Sequence, residues 1–153
     1  MILTAKSIKR LGLVTPWCER TKFDGVSYGQ SYAGYDIRIA EGVRLQIGHT
    51  TLAISIERFN MPNNVLGVVH DKSTWARQGV QVQNTIIEPG WEGYLTLEIS
   101  YAPLYGLTHA YINIPNGVGI AQVIFQYTEE ETEGYNGKYQ DAKQFAQPAI
   151  FDR

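Results

Sequence analysis

Cysteine is almost absent: Cys18 stands alone in 153 residues. No internal disulfide can form, which removes a disulfide scaffold from consideration and fits a reducing compartment. Histidine is nearly as scarce. His49, His70 and His109 are scattered, without HxH, HxxxH or HxE spacing, whereas a tetrahedral zinc site needs three or four thiolate or imidazole ligands. The zinc-deaminase signature, H-x-E followed by P-C-x-x-C, cannot be assembled from this inventory, so no zinc is expected and proton chemistry falls to carboxylates. Long apolar runs are missing too, and nothing approaches the roughly 20 residues that cross a bilayer. The opening MILTAKSIKRLGL is short and amphipathic, with no signal-peptide core or cleavage site. No membrane partner and a cytoplasmic location are the expectations. A basic excess is also lacking. Lys and Arg number 13 against 15 Asp and Glu, a net charge of -2, which argues against a general nucleic-acid binder.

What is present suffices for one domain, 1–153, with a buried core. The spacing predicts a helix over Ala5–Leu11, with Thr4 as its cap, Ile2, Ile8 and Leu11 on one face, and Gly12 as its stop. Residues 15–42 are rich in Gly, Tyr and Ser and read as ordered loop and short strand. Beyond Arg44 the period becomes two. Leu52, Ile54 and Ile56 alternate with Ala53, Ser55 and Glu57, and the theme continues at Val80 and Val82, Leu95 to Ile99, Tyr111 to Ile114 and Ile120 to Tyr127. Turn signals at 61–64, 88–90 and 114–117 separate these segments. Short strands at intervals of about ten residues predict a mainly β sandwich, jelly roll or barrel.

The segment 69–99, VHDKSTWARQGVQVQNTIIEPGWEGYLTLEI, carries the chemistry. In DKSTWAR, Ser73 is placed to cap a short helical turn. Its exposed amides favour an anion, and Lys72 and Arg77 add charge-assisted bonds to phosphate oxygens. Taken alone, such a turn is more often an ordinary solvated surface. In LTLEI, Leu95, Leu97 and Ile99 face one way while Thr96 and Glu98 face the other. Glu98 either meets water on a solvated face or sits in a cleft, where burial and a nearby Arg77 would balance its proton affinity. Glu88 belongs to a tight hairpin tip with Pro89 and Gly90, and Trp91 beside it is either a core plug or a platform for a sugar or base. The last stretch, 128–153, is acid-rich and then aromatic and basic. It reads either as a frayed tail or as a lid over a nucleotide that uses Tyr135, Lys138, Tyr139 and Gln140. Cations suited to phosphate, close in sequence to a carboxylate suited to proton transfer, point to a nucleotide-handling enzyme.

Read together, these segments resemble the dCTP deaminases, in the superfamily they share with the trimeric dUTPases. The resemblance runs through MILTAKSIKR, VSYGQSYAGYDIRI, LAISIERFNMP, DKSTWARQGV, EPGWEGYLTLEI, IAQVIF and YNGKYQ, in that order and nearly end to end. It implies a distorted β-barrel or jelly roll with a short N-terminal helix, assembled as a homotrimer with active sites between subunits. The implied reaction is hydrolytic, zinc-independent deamination of dCTP to dUTP and ammonia. Carried over by position, Glu98 is the acid/base. Ser73 and Arg77 hold the water and the pyrimidine, and Lys72, Ser73 and Thr74 meet the triphosphate. Glu88 binds the 3′-hydroxyl, with Trp91 against the sugar. Thr96, Gln122, Tyr135 and Lys138 complete the nucleotide pocket, while Tyr139 and Gln140 belong to the closing tail. Magnesium would ride on the triphosphate.

The chain also departs from the family pattern. Only AEGVRLQIGHTT, 40–51, stands where a longer two-strand insertion is expected, and Tyr101 and Ala102 replace an asparagine after the LEI strand. Ala142 occupies the place of a tail glutamine whose contacts Gln144 could take over. Two alternatives therefore stay open: a dUTP diphosphatase, alone or coupled to deamination, and a non-catalytic nucleotide-binding relative.

Overall fold

The period-two alternation folds into two curled antiparallel sheets that face one another in the computed structural model, which describes residues 1–106 and 109–151. The final two positions of the expected 128–153 lid lie outside the described residues. The larger sheet has the strand order β2 (Thr21–Phe23), β3 (Val26–Gln30), β4 (Tyr35–Arg38), β12 (Gly119–Tyr127), β7 (Val65–Asp71) and β9 (Ile86–Ile87). The smaller one runs β1 (Val14–Thr15), β6 (Thr50–Asn60), β10 (Glu92–Tyr101) and β8 (Val80–Val82), and β5 (Val43–Gln46) pairs with β11 (Tyr111–Ile114) in a separate ribbon. This is the mainly β, distorted-barrel architecture that the sequence predicts. Phe59 of β6 and Phe125 of β12 meet across the interior with ring centroids 6.3 Å apart, and Trp91 extends the cluster from the other side of Phe59, also at 6.3 Å. Buried aromatic pairs of this kind add to the area they remove from water.

The predicted helix α1 spans Ala5–Leu11 and ends where Gly12 turns to φ 65°, in the left-handed region that glycine enters without a Cβ penalty. Its anchor matches the expected face except at one residue. Ile8 is buried and Leu11 packs partly buried against the core, joined by Leu3 and Ala5, while Ile2 lies exposed along the edge of β12. A second short helix, α2 (Ser73–Ala76), follows β7. Lys72, not Ser73, is its cap residue and makes no side-chain capping bond. The turn is held instead by Trp75, whose Nε1 donates to Gly119 O at 2.7 Å.

Strand β6 alternates as expected, but its inward face is polar in part. Ala53, Ser55, Glu57 and Phe59 are buried, while Leu52 is exposed and Ile56 only half-buried. A fully buried carboxylate survives there because it is saturated. Arg38 N–H donates to Glu57 Oε2 at 2.8 Å and Arg38 Nε to Oε1 at 2.7 Å. Burial pushes the Glu57 carboxyl above its ordinary value, and the Arg38 bonds pull the other way. Arg38 also stacks over the Tyr28 ring, 4.7 Å from its centroid. The pair ties β4 in one sheet to β6 in the other. Arg38→Ala would leave an uncompensated buried charge, so denaturant unfolding should show a loss of about 3–5 kcal/mol. A loss below about 1 kcal/mol, the level of an exposed ion pair, would contradict that role.

Candidate active site

Between β9 and β10 the chain leaves the larger sheet and enters the smaller one. Glu88, Pro89 and Gly90 therefore form a corner between sheets and not the tip of a hairpin: β9 pairs with β7, whereas β10 pairs with β6 and β8. Trp91 N donates back to Glu88 O at 3.1 Å, which closes the corner. Beneath it lies a cavity of about 340 Å³, within the size range of small-molecule sites.

Strand β10 supplies the cavity with Thr96 and Glu98, and neighbouring β6 supplies Leu52, the cross-strand partner of Glu98. Thr85, Ile86, Ile87 and Glu88 form one wall, and Trp91, Tyr135 and Tyr139 form an aromatic one. Ala142, Gln147 and Ala149 come over the top from the C-terminal segment. Glu98 is half-buried with its main-chain carbonyl bonded to Gln83 N at 2.9 Å. Among the described residues its carboxylate has no hydrogen-bond or ion-pair partner, and the Glu88 carboxylate has none either. The Glu98 carboxylate thus shares the cavity with the apolar side chains of Leu52 and Ile86.

The C-terminal segment is docked along its length. Trp91 Nε1 donates to Tyr139 O at 2.7 Å, so this side chain is both part of the Phe59 cluster and a latch for the tail. Gln140 uses both ends of its amide: Oε1 accepts from Glu92 N at 3.0 Å and Nε2 donates to Gly90 O at 2.9 Å. Arg58 adds a pair with Glu92 at 2.8 Å and reaches Asp141 at 3.9 Å. Tyr139 N donates to the Tyr135 hydroxyl at 3.3 Å, and Ile150 N to the Tyr139 hydroxyl at 3.0 Å. Lys138 bonds Ile150 O and lies 5.6 Å from the centroid of the Tyr139 ring. Further along, Thr96 Oγ1 accepts from Gln147 N at 3.1 Å.

Of the residues singled out in the sequence, Glu88, Trp91, Thr96, Glu98, Tyr135 and Tyr139 thus meet around one cavity, and Lys138 and Gln140 hold the segment above it. Lys72 lies elsewhere. It is buried, and its ammonium donates to Asp36 Oδ2 at 2.5 Å and to Ser27 Oγ at 3.0 Å. This ion pair engages the charge within the larger sheet. Gln122 sits on the same sheet, cross-strand from Asp36, with Nε2 donating to Ser31 Oγ at 2.8 Å. Ser73, Thr74 and Arg77 are exposed on and just after α2, and none of them lines the cavity within the chain. Their side chains have no partner among the described residues. Gln144 donates to Ile56 O at 3.5 Å, and it is Gln147 that lines the cavity. Sequence reading also missed Leu52 and Asp36. The first needed the β6–β10 register, and the second had a signal in the charge inside the buried strand YDIR.

Comparison with solved structures gives the class. The chain shares its fold with dUTPases and dCTP deaminases. It superposes on a 2′-deoxycytidine 5′-triphosphate deaminase from Agrobacterium tumefaciens with a TM-score of 0.65 at 16% identity, covering 83% of this chain and 48% of that one. A point-mutant dUTPase from phage phi11 of S. aureus gives 0.58 at 18% identity, over 82% and 97% of the two chains. The chain belongs to the dCTP deaminase-like family, whose pattern matches residues 20–128. It is 36% identical to a dCTP deaminase of Campylobacter hominis, over 96% of this chain and 92% of that protein. With a dCTP deaminase of Acidobacterium capsulatum it shares 32% identity over 91% and 92%. The Campylobacter hominis alignment runs to 182 positions, more than the 153 residues of this chain, so that relative carries segments missing here.

The docking of the tail can be tested at Gly93, which bridges Ala142 with φ at 146° and where an added Cβ would stand 2.7 Å from Ala142 N. Gly93→Ala should release the segment. The expected result is severalfold faster tryptic cleavage after Lys143 with the core uncut, and an unchanged cleavage rate would show the bridge to be dispensable.

Proposed function

We propose that this protein is an enzyme that deaminates dCTP hydrolytically to dUTP and ammonia. The observation that carries the reading is Glu98: an unpartnered, half-buried carboxylate lining the cavity that also collects Trp91, Tyr135 and Tyr139. The family membership and the named relatives support it. Water attacks C4 of the cytosine while Glu98 takes its proton. The tetrahedral carbon then expels ammonia as the same group returns a proton to the departing nitrogen, and the C4–N bond breaks. General catalysis of this kind supplies about 10²–10⁴-fold, with positioning supplying more. No zinc takes part in this reading.

Arg77 and Ser73 enter the reaction from a neighbouring subunit. They are free on one part of the surface while Glu98 is free in a cavity they do not line, two halves of a site that a homotrimer would join. Arg77 then keeps Glu98 ionised and oriented, and Ser73, Thr74 and Arg77 hold water, pyrimidine and phosphates. Lys72 acts through its bond to Asp36, holding the turn from below. Glu88 meets the 3′-hydroxyl, Trp91 the sugar, and Gln147 offers the tail's amide to the base. Gln122, Tyr135 and Lys138 complete the nucleotide pocket, with Tyr139 and Gln140 in the closing tail. Magnesium arrives on the triphosphate, since this ion is commonly held by a carboxylate or two plus phosphates. No helix among the described residues is long and apolar enough to cross a membrane, and the free thiol of Cys18 suits the cytoplasm.

A second reading, coupled hydrolysis of dUTP to dUMP and pyrophosphate, is favoured by Glu88, whose carboxylate is also free in the cavity. Incubation with magnesium and dCTP separates the readings. Ammonia with dUTP supports deamination alone, dUMP with pyrophosphate supports the coupled reaction, and silence on dCTP, CTP, dCMP and dUTP leaves a binding protein. Glu98→Gln should abolish ammonia release while folding and dCTP binding persist. Glu98→Gln and Arg77→Ala chains, each inactive alone, should regain part of the activity when co-assembled. A silent mixture would place both groups in the same subunit's site.

A further inference from the structure

Strand β10 does not pair with β6 in one continuous register. From Glu92 to Tyr94 its partners run Asn60, Phe59, Arg58, but Thr96, Leu97 and Glu98 face Ile54, Ala53 and Leu52. Between these stretches the single residue Leu95 opposes Ser55, Ile56 and Glu57. An unbroken ladder would set Glu98 opposite Ile54. The break carries it two residues further along β6, about 7 Å at strand spacing, while the even shift keeps Thr96 and Glu98 on the same face. A break of this size leaves ladder groups without partners, and a buried orphan amide is costly.

Ser55 fills that place. It is fully buried, its Oγ accepts from Leu95 N at 2.9 Å, and the same hydroxyl donates to Glu57 O at 2.6 Å. It thereby closes both strands of the bulge with one group. The backbone around it is fixed by the segment just after β4, since Ile39 bridges Ser55 and Ala40 N donates to Ile54 O at 2.8 Å. Bulges next to active sites re-aim side chains. We infer that Ser55 is a positioning residue for catalysis, its buried hydroxyl locking the β6–β10 register that delivers Glu98 into the cavity. The inference rests on the assignment of Glu98 as the proton-transfer group. Ser55 itself lines no part of the cavity and acts only through β10.

The test combines kinetics with amide exchange. In the wild-type protein the Leu95 amide should exchange as slowly as those of Leu97 and Ile99, and rapid exchange would overturn the inference whether or not any variant folds. Ser55→Ala should speed Leu95 exchange roughly tenfold or more and lower kcat for ammonia release roughly tenfold to a hundredfold, as a misplaced catalytic group does, with KM for dCTP little changed. Ser55→Thr, which keeps the hydroxyl, should restore both. A Ser55→Ala protein that melts earlier but keeps its kcat per folded molecule would make Ser55 merely structural and sink the proposal. If the wild-type protein releases no ammonia at all, the deaminase reading fails on its own, and slow wild-type Leu95 exchange with its loss in Ser55→Ala still decides the register claim.

Discussion

The pairing of β6 with β10 is the constraint from which the rest of the structure follows. These are the two longest strands among the described residues. One face of the pair closes the core with Phe59, Leu97 and Ile99, and the other carries Leu52, Thr96 and Glu98 into the cavity. The inner face fixes the outer one, because successive side chains of a strand point in opposite directions. Packing energy that seats Leu97 and Ile99 therefore also holds Glu98 in place. The polar residues buried on β6 belong to the same device. Glu57 is bound to Arg38 and Ser55 to Leu95, so the seam between the sheets is held by directional bonds where apolar side chains alone would tolerate sliding.

The C-terminal segment is fastened by a different kind of force. Its contacts to the barrel are mostly hydrogen bonds to main-chain groups, from Trp91, Gln140 and Thr96, and its side chains are half-buried or exposed. Such bonds contribute about 1 kcal/mol each in net terms, and water can replace them singly. Bonds of this kind hold the segment without the depth of apolar burial that seats the Phe59 cluster beneath it.

Two cations close in sequence have different fates for the same reason. Lys72 faces into the larger sheet, where a buried ammonium requires a counter-charge, and Asp36 supplies it. Arg77, five positions on, lies beyond α2 on the surface and keeps its charge available. In a linear string both are basic residues of one turn. Only the direction of the backbone at α2 separates a structural ion pair from a group that can serve a ligand.

Much of this was legible in the chain itself. The helix Ala5–Leu11 with its Gly12 stop, the strands around Leu95–Ile99 and Ile120–Tyr127, and the face carrying Thr96 and Glu98 follow from local rules of capping and alternation, which depend on neighbours a few residues apart. The ordered motifs likewise pointed to the family. Other features depended on residues far apart in sequence. Glu57 and Ser55 look like the solvated side of β6 until Arg38 and Leu95 are brought to them, and Glu88 looks like a hairpin tip until its flanking strands join different sheets. Gln147 has no signal at all before the tail crosses Thr96. Local chemistry determined which elements form and which residues could react. The tertiary structure alone decided which of those residues share a cavity, because strand register and sheet-to-sheet crossings are set by packing and buried hydrogen bonds between segments that the linear order keeps apart.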